Sequence, residues 1–230
     1  MKTPTIAVMA GTPVDTRMGG EFLLSRAPDL HILSAPLSAD PVEQSLFQLS
    51  PPHHREQVVT GHIRALLAQG ADALLVYCNS LSGALDFPAL CAREGLPVVT
   101  PLMACRALTQ GYDRVGLLAA NNQSLHGIEK CLLEADPALD ILGVSLLPLV
   151  LEIERGLPPA EISQHFGLDH LLAFFQDAGA QAILLGCTHF PYLQSDLARR
   201  TALPLLNPDD AMYRLLLETV GRRAPAGQPL

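Results

Sequence analysis

The chain has 230 residues, a formal net charge of −8, 49% hydrophobic residues and only 5% aromatic ones. That length supplies one large domain or two small ones, with cores of Leu, Ala, Val and Ile that suit helices packed on parallel strands better than an aromatic-rich sandwich. The acidic balance, with no run of Lys or Arg, argues against nucleic acid and anionic membrane as partners; with no basic-then-apolar leader and no run of membrane-spanning length, a cytoplasmic protein is expected.

Short aliphatic runs of strand length fall at about residues 5–10, 30–35, 72–77, 97–100, 114–119, 140–146, 181–186 and 203–206. Longer segments of helical period alternate with them. Residues 55–69 place Val58, Val59, Ile63, Leu66 and Leu67 on one face, and residues 124–134, 161–176 and 209–220 read as helices in the same way. Alternating strand and helix predicts parallel sheets with right-handed crossovers.

The chain also repeats itself. The segment from Gly70 to Cys78 aligns with that from Gly179 to Cys187 at an offset of 109 residues, with five of nine positions identical. The same offset aligns Ile6–Ala10 with Val115–Ala119, and Pro28, Leu30, Ile32 and Leu33 with Pro137, Leu139, Ile141 and Leu142. Leu96–Pro101 and Leu203–Pro208 match at 107. Three segments at one shared offset indicate an internal duplication, and hence two similar α/β lobes.

Five cysteines, at 78, 91, 105, 131 and 187, are widely spaced, odd in number and free of any CxxC pair. That pattern fits neither a disulfide framework nor a structural zinc site. Cys91, Cys105 and Cys131 have no counterpart at the repeat offset and read as packing residues. Cys78 and Cys187 occupy equivalent positions, each directly after the third strand of its half. Ligands of parallel α/β sheets bind beyond the carboxyl ends of the strands, so facing lobes bring both thiols to one cleft. Asn79 and Ser80 follow the first thiol, Thr188 and His189 the second, supplying amide, hydroxyl and imidazole groups for helix capping or carboxylate contact. Two thiols on opposite sides of one carbon are what stereoinversion requires: one removes the α-proton, and the other protonates the opposite face.

Two motifs carry a family resemblance. Gly186-Cys187-Thr188-His189-Phe190-Pro191-Tyr192-Leu193 resembles the GCTHxPxL signature of glutamate racemases, and Tyr77-Cys78-Asn79-Ser80 resembles its paired xCNT signature with Ser for Thr. The chain is thus identified as a member of the aspartate/glutamate racemase family. The resemblance implies two three-layer α/β lobes related by a pseudo-two-fold axis, with the active site between them. Lobe one would comprise about residues 1–96 plus 204–230, and lobe two 97–203. It implies Cys78 and Cys187 as paired acid and base, an acidic amino acid as substrate, no pyridoxal phosphate, metal or nucleotide, and a homodimer.

Other residues follow from the same resemblance. Glutamate racemases carry a DSGxGG-like loop after the first strand; this chain has Ala10-Gly11-Thr12-Pro13-Val14-Asp15, nearer to the turn of aspartate racemases. Thr12 is the expected substrate contact there, and Asp15 a candidate for the missing Asp. Arg55 is a candidate clamp for the substrate side-chain carboxylate, as in aspartate racemases. His189 is typical of glutamate racemases and favours glutamate over aspartate. Asn122, with Asn121 and Ser124, follows the strand equivalent to the Thr12 turn and is a further substrate contact or cap. Glu152 and Glu154 resemble an acidic loop near the second thiol. Hydantoin racemase, maleate isomerase and arylmalonate decarboxylase are alternatives on this scaffold, the last opposed by its single catalytic cysteine. A two-lobed ligand-binding protein without catalysis is the alternative of another class.

Overall fold

The computed structural model describes residues 3–221. In chain order the first half comprises β1 (Thr5–Ala10), α1 (Pro13–Arg26), β2 (His31–Pro36), α2 (Pro41–Leu49), α3 (Pro52–Ala68), β3 (Ala73–Val76), α4 (Asn79–Ala84), α5 (Phe87–Glu94), β4 (Val98–Val99) and α6 (Pro101–Leu108). The second comprises β5 (Arg114–Ala119), α7 (Asn122–Ala135), β6 (Asp140–Ser145), α8 (Leu147–Glu154), α9 (Pro159–His165), α10 (Leu168–Asp177), β7 (Ala182–Gly186), α11 (Pro191–Leu197), β8 (Leu205–Leu206) and α12 (Asp209–Thr219).

The strands form two four-stranded parallel sheets, ordered β2-β1-β3-β4 and β6-β5-β7-β8, with helices against them. Eight aliphatic runs in the sequence thus become eight strands. β1, β3, β5 and β7 are almost wholly buried, as central parallel strands covered on both faces must be. The duplication extends to register. Ile6 pairs with Ile32 and Ala73 in the first sheet; Val115, 109 residues on, pairs with Ile141 and Ala182 in the second. Leu74 pairs with Val98 and Ile183 with Leu205, so the two-residue shortening lies between the last two strands of the second half.

Two details differ from the sequence reading. The helix expected over 161–176 is broken at Gly167, whose φ of 59° lies in the left-handed region and starts α10 in a new direction. The expected lobe divisions at 96/97 and 203/204 fall just ahead of β4 and β8, each of which remains in the sheet that precedes it. The chain returns to the first lobe with α12, whose Met212, Tyr213, Leu216 and Leu217 join the first core. The first and last segments of the expected first lobe, residues 1–2 and 222–230, lie outside the described residues.

The lobes meet along α4 and α7. A Cβ on Gly127 would lie 2.8 Å from the Gly83 Cα, and one on Gly83 3.0 Å from the Gly127 Cα, so only glycine at both positions allows this backbone-to-backbone approach. Among the described residues no helix is long and apolar enough to cross a membrane.

Candidate active site

The two strand-end thiols line one cavity at the carboxyl edges of both sheets. Its walls include Thr12 after β1, Cys78, Asn79 and Ser80 after β3, Asn121 after β5, and Cys187, Thr188 and His189 after β7. Asp15 of α1, Pro41 and Gln44 of α2, Leu147 and Val150 of α8, and the strand-end residues Ala120 and Gly186 complete it. The free volume is about 30 Å³, the space of a single water molecule, so the lobes are closed on the site.

Cys78 is 5% exposed, and its Sγ lies 3.3 Å from Ser80 Oγ. Burial, with the Asp15 carboxylate adding to it, pushes the Cys78 thiol up to about 12, so it is protonated at neutral pH. Ser80 Oγ accepts from Gln48 Nε2 at 2.9 Å, which leaves the serine proton free to point at the sulfur. Gln48 Oε1 in turn lies 3.4 Å from Asn121 Nδ2 of the other lobe, which also donates to Ser45 Oγ at 3.0 Å.

Cys187 has different neighbours. Its Sγ lies 3.6 Å from His189 Nδ1, and His189 Nε2 lies 2.9 Å from Glu154 Oε1. Burial opposes charge on the imidazole, but its bonds to Cys187 and Glu154 and the nearby Asp15 outweigh that, and His189 is raised to about 10. It is therefore an imidazolium at neutral pH. Thr12 Oγ1 donates to Glu154 Oε1 at 2.5 Å, tying the first-strand loop to α8 of the second lobe. Asp15 forms a capping box with Thr12 at the start of α1 and accepts from the Thr12 and Gly11 amides at 2.6 and 3.2 Å. Burial raises its carboxyl above the ordinary value against the pull of His189 and Thr12.

Of the residues expected to catalyse or to touch the substrate, seven thus come together, Cys78, Cys187, Thr12, Asn79, Ser80, Thr188 and His189, with the candidates Asp15 and Asn121 on the same wall. Two do not. Arg55 is absent from the cavity wall and instead donates to the Gln48 carbonyl at the end of α2, bracing the helix that carries the site glutamines. Asn122 is exposed and accepts from Ser145 Oγ at 2.5 Å; its neighbour Asn121 occupies the wall. Of the two glutamates, Glu152 pairs with Arg155 at 2.6 Å while Glu154 reaches His189, and both sit on a helix rather than a loop. The sequence reading missed Gln44 and Gln48. Only their place four apart on an amphipathic helix hinted at a shared face.

Residues 26–216, spanning both thiols and most of the duplication, match the family model described as Asp/Glu/Hydantoin racemase. The chain belongs to that family. It is 33% identical over 170 residues to the glutamate racemase of Cupriavidus pinatubonensis, covering 66% of this chain and 57% of that one. It is 27% identical over 135 residues to that of Limosilactobacillus reuteri, covering 57% and 50%. The chain thus spans about half the length of the curated relatives it matches. The fold resembles that of the Francisella tularensis glutamate racemase in complex with D-glutamate, at a TM-score of 0.76, 18% identity and coverage of 100% and 86%. A mutant arylmalonate decarboxylase shares it at a TM-score of 0.65, 21% identity and coverage of 98% and 97%.

Proposed function

We propose that this protein is a cofactor-independent racemase of an acidic amino acid, glutamate ahead of aspartate, with Cys78 and Cys187 as its two acid–base groups. The observation that carries the reading is the presence of both repeat-related thiols on one small cavity. A protein that only bound a ligand would have no use for a matched pair of proton carriers, and the second cysteine opposes a decarboxylase. Relatives named glutamate racemase support the choice of substrate.

Cys187, beside the imidazolium of His189, takes the α-proton as a thiolate; the Cα–H electron pair passes into the α-carboxylate, giving an enediolate. Cys78, the protonated thiol, delivers its proton to the opposite face and is left as thiolate. The opposite enantiomer runs the sequence backwards. The developing charge on the carboxylate needs preorganised donors, and Asn79 supplies one: its Nδ2 is buried with no partner, while its Oδ1 is engaged by the Cys105 thiol at 3.9 Å. Ser80 and Thr188 hydroxyls lie on the same wall.

The test is incubation with each enantiomer of glutamate and aspartate in deuterium oxide. Loss of optical activity with uptake of one α-deuterium is expected, and neither should survive in Cys78→Ser or Cys187→Ser. Absence of exchange with all four substrates at high enzyme concentration refutes the proposal. Full racemisation by either serine variant refutes the two-thiol mechanism.

A further inference from the structure

The cavity wall carries a second buried donor with no acceptor, and nothing in the two cysteine motifs accounts for it. Gln44 is 5% exposed, and its Nε2 has no hydrogen-bond partner. Its carbonyl end is occupied: Ser38 Oγ donates to Gln44 Oε1 at 3.1 Å. The amide is therefore fixed with its NH2 as the free end. A buried amide N–H without an acceptor costs free energy in the empty protein, and such groups occur where a ligand completes them. The sequence also makes room for it. A Cβ at Gly11 would lie 2.8 Å from Gln44 Cγ, so the side chain reaches the cavity over a glycine.

Asn79 presents the same arrangement, its oxygen taken by Cys105 and its NH2 free. The two donors have different stations. Asn79 is attached to Cys78 and so serves the carboxylate next to the reacting carbon. Gln44 enters from α2, across the Gly11 turn, on a separate element. No Lys or Arg lines the cavity, and the single cation, His189, is committed to Glu154 and Cys187. Arg55, the expected clamp, is not on the cavity wall, and its Nη1 donates to the Gln48 carbonyl.

We infer that Gln44 is the specificity-determining residue of this site, its Nε2–H donating to the side-chain carboxylate of an α-amino dicarboxylic acid. This assignment rests on the racemase reading and adds to it the group that selects a two-carboxylate substrate. Recognition by a neutral amide differs from a guanidinium clamp: it supplies a directed donor and no charge, and it rejects a hydrocarbon end because the amide is then left buried and unpaired.

The experiment compares kcat/KM for α-deuterium exchange of glutamate, aspartate and 2-aminobutyrate, which ends in a methyl group, in wild type, Gln44→Met and Gln44→Glu. The ratio between a dicarboxylate and 2-aminobutyrate, measured in one preparation, is independent of how much of a variant is folded. Wild type is expected to favour its dicarboxylate. Gln44→Met should lower that ratio about tenfold or more, as loss of a hydrogen bond to a charged group does, and Gln44→Glu should lower it further by setting carboxylate against carboxylate. A ratio that stays constant because all substrates lose equally makes Gln44 merely structural and overturns the assignment. So does a wild type that exchanges 2-aminobutyrate as well as either dicarboxylate, an outcome that leaves the racemase reading standing. A wild type that exchanges none of the three overturns both.

Discussion

Glu154→Gln tests the electrostatics of the second thiol. His189 Nε2 and Glu154 Oε1 are 2.9 Å apart with side chains 5% and 13% exposed, so little water screens the pair. Removing one charge of a buried pair costs about 3–5 kcal/mol. At about 1.4 kcal/mol per pKa unit that is roughly two to three and a half units of lost imidazolium stabilisation. Glutamine keeps the volume and an acceptor oxygen, which favours the lower end. His189 should therefore fall from about 10 towards neutrality by about two units, to roughly 8. The raised value means that the imidazolium is present below that pH and lost above it. In wild type the kcat/KM profile should hold on the alkaline side until about 10. In Glu154→Gln the descending limb should move down to roughly 8. The assay is the pH dependence of racemisation followed by circular dichroism, with the His189 ring titrated in parallel by NMR. Stability has the same sign: the contribution of a raised histidine is whole below its unfolded value of 6.5 and is lost as pH rises through about 10. The advantage of wild type over the variant in urea should shrink over that window. A variant that loses amplitude while its alkaline limb stays where wild type has it would show that Glu154 only packs, and the reasoning would fail.

Three further perturbations follow from the geometry. Asp209, buried at the start of α12 and bonded to Tyr77 and Asn207, is raised by burial from 3.8 to about 6. The carboxyl therefore favours folding below 3.8 and loses that contribution as pH rises through about 6, so Asp209→Asn should be more stable than wild type at pH ~8 by up to about 3 kcal/mol; urea unfolding at pH ~4 and ~8 checks this, and equal stability at both refutes it. Gln48→Met removes the donor that turns the Ser80 proton towards Cys78. A loss of roughly fivefold in kcat/KM, about 1 kcal/mol, should be accompanied by a shifted pH profile; an unmoved profile would reduce Gln48 to a lobe-to-lobe strut. Gly127→Ala forces a methyl group to within 2.8 Å of the Gly83 backbone. It should cost about 1–3 kcal/mol in thermal or urea unfolding, and an unchanged midpoint would contradict the close approach of α4 and α7.

What the sequence showed and what it hid divide along one physical line. The strands were legible because a central parallel strand is buried on both faces and must be a continuous aliphatic run, and because the duplication printed the same run twice; even the 107-residue offset of the last pair reappears as register. The site residues that follow β3 and β7 were legible for a related reason: they are chained to those strands, so placing the strand places the side chain. Gln44 and Gln48 are not chained to a strand end. They sit four apart on α2, Gln44 on the cavity wall and Gln48 on the Ser80 hydroxyl, and a helix position carries no mark of which strand end it will pack against. Arg55 and Asn122 fail in the opposite sense. Arg55 sits at the start of α3, pointing back onto the Gln48 carbonyl, where it holds the very helix that supplies the site donors. Asn122 yields its place to Asn121, the residue 109 beyond Thr12: β5 ends at Ala119 as β1 ends at Ala10, and Asn121 caps α7 as Thr12 caps α1, while the next residue turns out. The charge expected from Arg55 is thus not delivered to the cavity, whose wall instead carries the buried side-chain NH2 groups of Gln44 and Asn79, both without an acceptor.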